Sequence, residues 1–407
     1  MIRPTVATVN LEAIQSNLRA IAALLRRETG PRLRTLRPAE PSEPSEPEPP
    51  EPRNPGTPEP RAPEIISVVK ANAYGHGAAA VGPALEAAGA AMLACADIEE
   101  GVALREAGVT IPILVFGALS VSDLDEVFAK DLTPTVSTPW AARALADAAA
   151  ARRVRLRCHL KIDTGMNRLG FRHDNLRRTL PAVLASPHLQ IDAVYTHFAT
   201  ADEPESPFLE EQRTRFEVAS AALGALGLRG VKRHAANSAA LLRDTRTWYD
   251  WVRPGLLLYG IVPPPLAAAD LALGPALSLT SRIVAVKGLR PGEGTGYGLR
   301  WQADEARTIA IVPAGYADGL DTRLSGRGAV LVRGRRRPIV GSVCMDMIMV
   351  DVTGVDVSPG DAVVLIGRQG EEEITAREIA ANIGTIPWEV VCRLGSRIQR
   401  AYLLSEK

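Results

Sequence analysis

Lysine is scarce in this chain of 407 residues: of 47 basic side chains only six are lysines, Lys70, Lys130, Lys161, Lys232, Lys287 and Lys407. Chemistry that needs a primary amine therefore has few candidates. Cysteine is scarcer still. Cys95, Cys158, Cys344 and Cys392 lie far apart with no CxxC pair, which signals neither a zinc site nor a disulfide framework. No apolar run reaches the roughly 18 residues that a membrane-spanning helix needs. The opening MIRPTVATVN lacks the apolar core of a signal peptide, so the reducing cytoplasm is the expected location. An excess of one charge is missing as well: at a net +1, neither nucleic acid nor an anionic membrane is expected as a partner. What remains, 46% hydrophobic and 23% charged residues, suits an ordinary soluble core, and the length suggests two or three domains.

Thr5–Val9 is a short β-like run, and residues 1–10 are expected to form a strand able to join the C-terminal domain. Asn10 can cap a helix in which Leu11, Ile14, Leu18, Ile21 and Leu25 follow the 3.6-residue period, a pattern that fails after Arg27. Eleven prolines, interleaved with glutamate and serine, lie between Pro38 and Pro63. Such a stretch cannot bury enough apolar surface to order itself, so residues 28–63 are expected to be a disordered insertion. Strands and helices then alternate. Asp97-x-x-Glu100 reads as a capping box before a helix that stops at Gly108. Ile111–Phe116 reads as a strand, and helices are expected around Val121–Lys130 and Trp140–Ala151. Val154–Asp163 alternates apolar and polar, and further strands end near His197, His234 and Arg253. This spacing predicts an α/β fold, a parallel (β/α)8 barrel over residues 11–265. After Pro263–Pro265 the segments Ser278–Val286, Thr308–Val312, Ala329–Val332 and Ala362–Ile366 predict a second, mainly β domain over 270–407, interrupted by one helix at Thr375–Ile383.

In such a barrel, reactive groups collect at the C-terminal strand ends, where Lys70, Lys161, His197, Asn237 and Arg253 are all placed. Lys70 ends the β-branched run Ile65–Val69, before Asn72, Gly75 and Gly77 break the pattern and a helical run opens at Ala78. A lysine on such a tip is desolvated, which lowers its proton affinity and suits it to form a Schiff base with a carbonyl cofactor. A solvated lysine at a strand end is the alternative. Two other patterns lead nowhere. Asp163-Thr-Gly165 has no second copy to complete an aspartic dyad, and Gly292–Gly298 matches no nucleotide-binding loop.

The ten residues VVKANAYGHG resemble the pyridoxal-phosphate (PLP) lysine motif of the alanine racemases, and Lys161-Ile-Asp-Thr-Gly-Met-Asn-Arg168-Leu-Gly resembles that family's KxDTGMxRLG. The resemblance covers nearly the whole chain except the proline-rich insertion. It implies that Lys70 carries PLP, that Lys161 is carbamylated, and that Arg168 meets the substrate carboxylate. By the same resemblance His197 stacks on the cofactor ring, and His234-Ala-Ala-Asn237-Ser238 opens a helix at the phosphate. Ser238 there is otherwise an ordinary helix cap. Tyr74, Gly255 and Leu256 join Asn237 and Ser238 as cofactor contacts, and Arg253, in Arg253-Pro254-Gly255, donates to the pyridine nitrogen. Decarboxylases of similar architecture carry glutamate before the matching Pro-Gly. A guanidinium keeps its proton at neutral pH, so the ring nitrogen stays unprotonated and the ring is a weaker electron sink. Racemisation needs bases on opposite faces of a planar carbon. The resemblance gives one face to Lys70 and the other to Tyr297 of a second subunit, with Tyr316 and Met345 beside the substrate. Trp388 departs from the family, which usually carries tyrosine there as a phosphate contact.

The expectation is thus a homodimeric, PLP-dependent alanine racemase with shared active sites and no metal, supplying D-alanine for the cell wall. A PLP-dependent decarboxylase, a racemase of broader specificity, and a non-catalytic PLP carrier are the alternatives. The carrier would lack the β domain that brings Tyr297.

Overall fold

The computed structural model describes residues 4–29, 62–119, 121–268 and 271–404. Most of the expected insertion, residues 30–61, lies outside the described residues. Its first two positions do not: Glu28 and Thr29 complete the first helix, α1 (Leu11–Thr29), where the Thr29 hydroxyl donates to Leu25 O at 2.7 Å. Asn10, the last residue of β1 (Val6–Asn10), caps that helix by accepting the Ala13 amide at 2.9 Å.

Eight parallel strands follow: β2 (Glu64–Val68), β3 (Met92–Cys95), β4 (Ile113–Val115), β5 (Thr133–Val136), β6 (Leu156–Asp163), β7 (Leu189–Tyr195), β8 (Lys232–His234) and β9 (Trp251–Val252). Each pairs with the next in chain order, and β9 closes on β2 through Trp251–Glu64 and Val252–Ile65. Among the connecting helices are α2 (Ala78–Ala87), α3 (Ile98–Glu106), α4 (Pro139–Ala151), α5 (Phe208–Ala225) and α6 (Ser238–Arg243). The alternation in β6 has two meanings along one strand. Arg155 and Arg157 are exposed, whereas His159, Lys161 and Asp163 are buried at 1%, 6% and 9% exposure, because the upper part of that polar face looks into the barrel. The lumen is polar and aromatic: Thr135 and Tyr195 hydroxyls meet at 3.0 Å, Tyr195 stacks on His234 at 4.6 Å, and His159 stacks on Trp251 at 5.6 Å.

The second domain contains β10 (Leu277–Arg282), β11 (Ala285–Leu289), β12 (Arg307–Val312), β13 (Ala329–Val332), β14 (Arg335–Val340), β15 (Ile348–Asp351), β16 (Ala362–Gln369), α7 (Ala376–Ile383), α8 (Pro387–Cys392) and β17 (Gln399–Leu403). Their sheet runs β11-β12-β15-β14-β13-β16-β10-β1-β17, so the chain's first strand is built into its last domain. The expected single strand over Ser278–Val286 is two, β10 and β11, because Ile283 and Val284 turn the chain from pairing with β16 to pairing with β12. Helix α8 was absent from the sequence reading. It presses on the segment after Lys70, where a Cβ on Gly75 (φ +81°) would stand 2.1 Å from Val391 O.

Candidate active site

Strand β2 stops at Val68, and Lys70 opens a left-handed turn rather than leading straight to a helix. Ala71, Asn72, Ala73 and Tyr74 have φ of 54°, 53°, 55° and 50°. Four consecutive non-glycine residues in that region cost roughly 1–2 kcal/mol each, so tertiary contacts must impose the turn. It delivers Lys70 and Tyr74 to a cavity of about 570 Å³ at the C-terminal mouth of the barrel, shared with Lys161, Arg168, His197, Asn237, Ser238, Arg253, Gly255 and Leu256. Trp388 and Cys392 of α8 close one side.

The cavity is electrostatically one-sided. Burial lowers the proton affinity of Lys70, and the nearby charge of Arg168 lowers it further. Lys161 falls to about 8, again by burial first and then by Arg168 and Arg253. Arg253, 3% exposed, is brought down to about 10 by burial and so stays charged at neutral pH. Its Nη1 donates to His234 Nδ1 at 2.9 Å, and its Nη2 to Thr196 O and Ala235 O, both at 2.8 Å, and to His197 Nδ1 at 3.2 Å. Nε has no acceptor among the described residues. Because arginine can only donate, His234 must accept at Nδ1 and carry its proton on Nε2, which donates a hydrogen bond to His159 Nδ1 at 3.0 Å. Burial holds both histidines, and His197, far below the usual imidazole range, so all three are neutral. This relay through the lumen was not read from the sequence, where a lumen face looks like any polar strand face.

At the other end of the cavity the groups are donors. Asn237, not Ser238, caps α6, its Oδ1 accepting the Ala240 amide at 2.9 Å. Ser238 Oγ accepts the Gly255 amide at 3.0 Å, which leaves its proton free to donate. A Cβ on Gly255 would lie 2.6 Å from the Tyr74 hydroxyl, so glycine lets that phenol approach; burial pushes the phenol's pKa up and keeps it a donor. Asp163 serves as the hub of a turn, accepting the amides of Gly165 at 2.9 Å and Asn167 at 3.1 Å, and so shapes the loop that presents Arg168.

Comparison with known proteins agrees with this geometry. Residues 58–263 match the family model "Alanine racemase, N-terminal domain", and residues 276–402 match "Alanine racemase, C-terminal domain". The chain belongs to the alanine racemase family. It is 39% identical over 401 residues to the alanine racemase of Symbiobacterium thermophilum, covering 98% of this chain and 97% of that one. To that of Carboxydothermus hydrogenoformans it is 40% identical over 403 residues, covering 98% and 100%. Among solved structures, alanine racemase from Streptomyces lavendulae superposes with a TM-score of 0.87 at 33% identity, over 100% of this chain and 98% of that one. That from Bartonella henselae, with covalently bound pyridoxal phosphate, gives 0.80 at 26%, over 98% and 99%.

Not every residue expected at an alanine racemase site meets in this cavity. Tyr297 and Met345 line a separate open hollow of about 540 Å³ on the second domain, together with Thr295, Cys344 and Asp346. Tyr316 is tied to the same loop through its amide, which donates to Cys344 O at 2.9 Å. Tyr297, Tyr316 and Met345 are 76%, 45% and 50% exposed. Trp388 does line the cavity beside Lys70, where its indole N–H can donate one hydrogen bond.

Proposed function

We propose that this chain binds PLP on Lys70 and interconverts L- and D-alanine by two bases on opposite faces, in a homodimer whose sites each draw on both copies. The observation that carries this reading is the makeup of the cavity: a lysine of lowered proton affinity and a buried arginine with a free Nε, facing a cluster of donors around Tyr74, Ser238 and Gly255. Those donors fit a phosphate, and a lysine, a neutral imidazole and a guanidinium lining the same cavity suit an aromatic ring that carries a nitrogen. When bound, PLP withdraws electrons from the substrate's Cα and makes its proton removable.

The chain's own groups do the rest. Arg253 would offer an N–H that it does not surrender to a ring nitrogen bound there, which would keep that nitrogen unprotonated and electron withdrawal moderate. That favours returning a proton to Cα over redistributing charge into the ring. His197, neutral and held by Arg253, offers a flat face without charge. Arg168 holds the substrate carboxylate through charge-assisted bonds. Lys161 stands among cations with its own proton affinity brought down to about 8, which leaves free amine to add to CO2 with loss of one N–H proton to solvent. The resulting carbamate is an anion beside Arg168 and fixes its orientation. Lys70 moves the proton on one face of Cα, and Tyr297 of a second copy moves it on the other. No described helix is long and apolar enough to cross a membrane. The reading places the enzyme in the cytoplasm, making D-alanine for the cell wall.

The test is chiral chromatography of L-alanine incubated with the purified chain and PLP. Equal amounts of both enantiomers are expected at equilibrium. Amine and CO2 would instead establish a decarboxylase, and unchanged L-alanine would overturn the reading.

A further inference from the structure

The left-handed turn that carries Lys70 is gripped by a carboxylate outside the cavity. Ala73 and Gly75 bond within the turn, to Val69 O at 2.7 Å and Ala71 O at 2.9 Å, whereas the Asn72 amide at its start needs an acceptor from outside. Glu100, in the first turn of α3, supplies one: its Oε1 accepts the Asn72 amide at 3.1 Å. Its Oε2 accepts the Ala96 amide, just past β3, at 2.8 Å. The sequence suggested a reciprocal capping box at Asp97 and Glu100, but only half of it forms. Asp97 accepts the Glu100 amide at 2.9 Å, while the Glu100 carboxylate turns away to join the two loops. Within the turn, Asn72 Oδ1 accepts the Ala78 amide at 2.7 Å, so Asn72 is held through both its main chain and its side chain.

We propose that Glu100 is a positioning residue for Lys70, clamping the left-handed turn to the loop after β3 and thereby fixing where the lysine amine stands in the cavity. Its charge acts on the same group. Burial and Arg168 favour the neutral amine of Lys70, and Glu100 opposes them. The role in catalysis rests on reading Lys70 as the cofactor lysine; the clamp does not. Glutamine at position 100 has one acceptor oxygen and can serve only one of the two amides, and alanine serves neither. Glu99, its exposed neighbour, offers a charge control.

The experiment is hydrogen exchange by mass spectrometry on the full chain with PLP, comparing wild type with Glu100→Ala, Glu100→Gln and Glu99→Ala. Peptides covering residues 70–76 should exchange about tenfold faster in Glu100→Ala, the scale of one lost hydrogen bond, and by a smaller factor in Glu100→Gln. Glu99→Ala should match wild type, and α5 peptides should be unchanged throughout. Turnover should fall in the same order with little change in KM, and the acid limb of the pH profile that reports Lys70 should move to lower pH in both Glu100 variants. Wild-type exchange in Glu100→Ala, or equal effects from Glu99→Ala, would overturn the clamp. Faster exchange with undiminished turnover would overturn its role in positioning Lys70. If Glu100→Ala does not fold, Glu100→Gln carries the same comparison. Borohydride fixing PLP to another lysine would reject the reading of Lys70 and leave the clamp standing.

Discussion

The barrel mouth and the outer face of the second domain hold the two sets of residues expected at one site, and they are finished to different degrees. In the mouth several polar groups are held: Arg253 makes four bonds, Ser238 is pinned by Gly255, and Asp163 gathers the loop that leads to Arg168. On the outer face Tyr297 stands 76% exposed, with Leu299, Tyr316, Met345 and Met347 exposed near it in sequence or on the same loop. Exposed aromatic and methionine side chains of this kind mark surfaces that another molecule covers. One half of the site is preorganised by its own chain. The other half is presented, and a second copy of the mouth is the cover that the proposed two-base chemistry requires.

The strongest way to break this contrast is to separate the two halves genetically. Lys70→Ala and Tyr297→Phe should each lower kcat/KM by about a thousandfold or more, as loss of a positioned acid–base group does. Mixing the two inactive proteins under conditions of subunit exchange should restore about a quarter of wild-type activity, since random pairing in a two-fold dimer makes one intact site in half of the dimers. A mixture that exchanges yet stays inactive would place both groups in one copy and erase the contrast.

A smaller effect should sharpen the account of the mouth. Lys161→Ala should raise KM for alanine by about ten- to a hundredfold, because Arg168 loses the partner that orients it. Carbon-13 NMR of protein equilibrated with labelled CO2 should show a carbamate signal that fades as pH falls below about 8, where Lys161 takes up its proton. An ammonium at every pH would mean that something else orients Arg168. The smallest effect is expected from replacing residues 37–62 by a short Gly/Ser linker. The flanking described residues end at α1 and resume before β2, on the barrel face opposite the mouth. Turnover should stay within about twofold, because closure entropy changes slowly with loop length and that face governs stability more than catalysis. A large loss of turnover in a well-folded protein would put the segment near the chemistry.

Much of the mouth was legible because barrel topology converts strand ends into neighbours. Lys70, Lys161, His197 and Arg253 stand far apart in sequence, yet each follows a strand or lies in its last three residues, and closure of the barrel brings them together. The left-handed turn was not legible. Ala-Asn-Ala-Tyr has no residue that demands positive φ, and the groups that touch the turn from outside are distant in sequence: Glu100 accepts the Asn72 amide, Arg400 Nε donates to Gly75 O at 2.7 Å, and Val391 O lies against Gly75. Helix α8 is too short, at six residues, to show a helical period, although Pro387 at its first turn is a start signal. The polar face of β6 could not be told from a solvated one, since alternation reports two faces and not what lies beyond them. Tyr297 and its origin in a second subunit were expected from the resemblance alone, since no local pattern in Gly-Tyr-Gly marks a catalytic residue.

The placement of β1 has a consequence for how the protein is made. Val6 pairs with Thr280 on one side and with Gln399 on the other, so β1 is flanked on both sides only once β17 has been made. The barrel strands, each beside its successor, can assemble as they emerge, whereas the second sheet cannot close until synthesis is almost complete. A chain interrupted between β10 and β17 would therefore carry a formed barrel whose strand β1 is paired on one side only, and β17 supplies the other side.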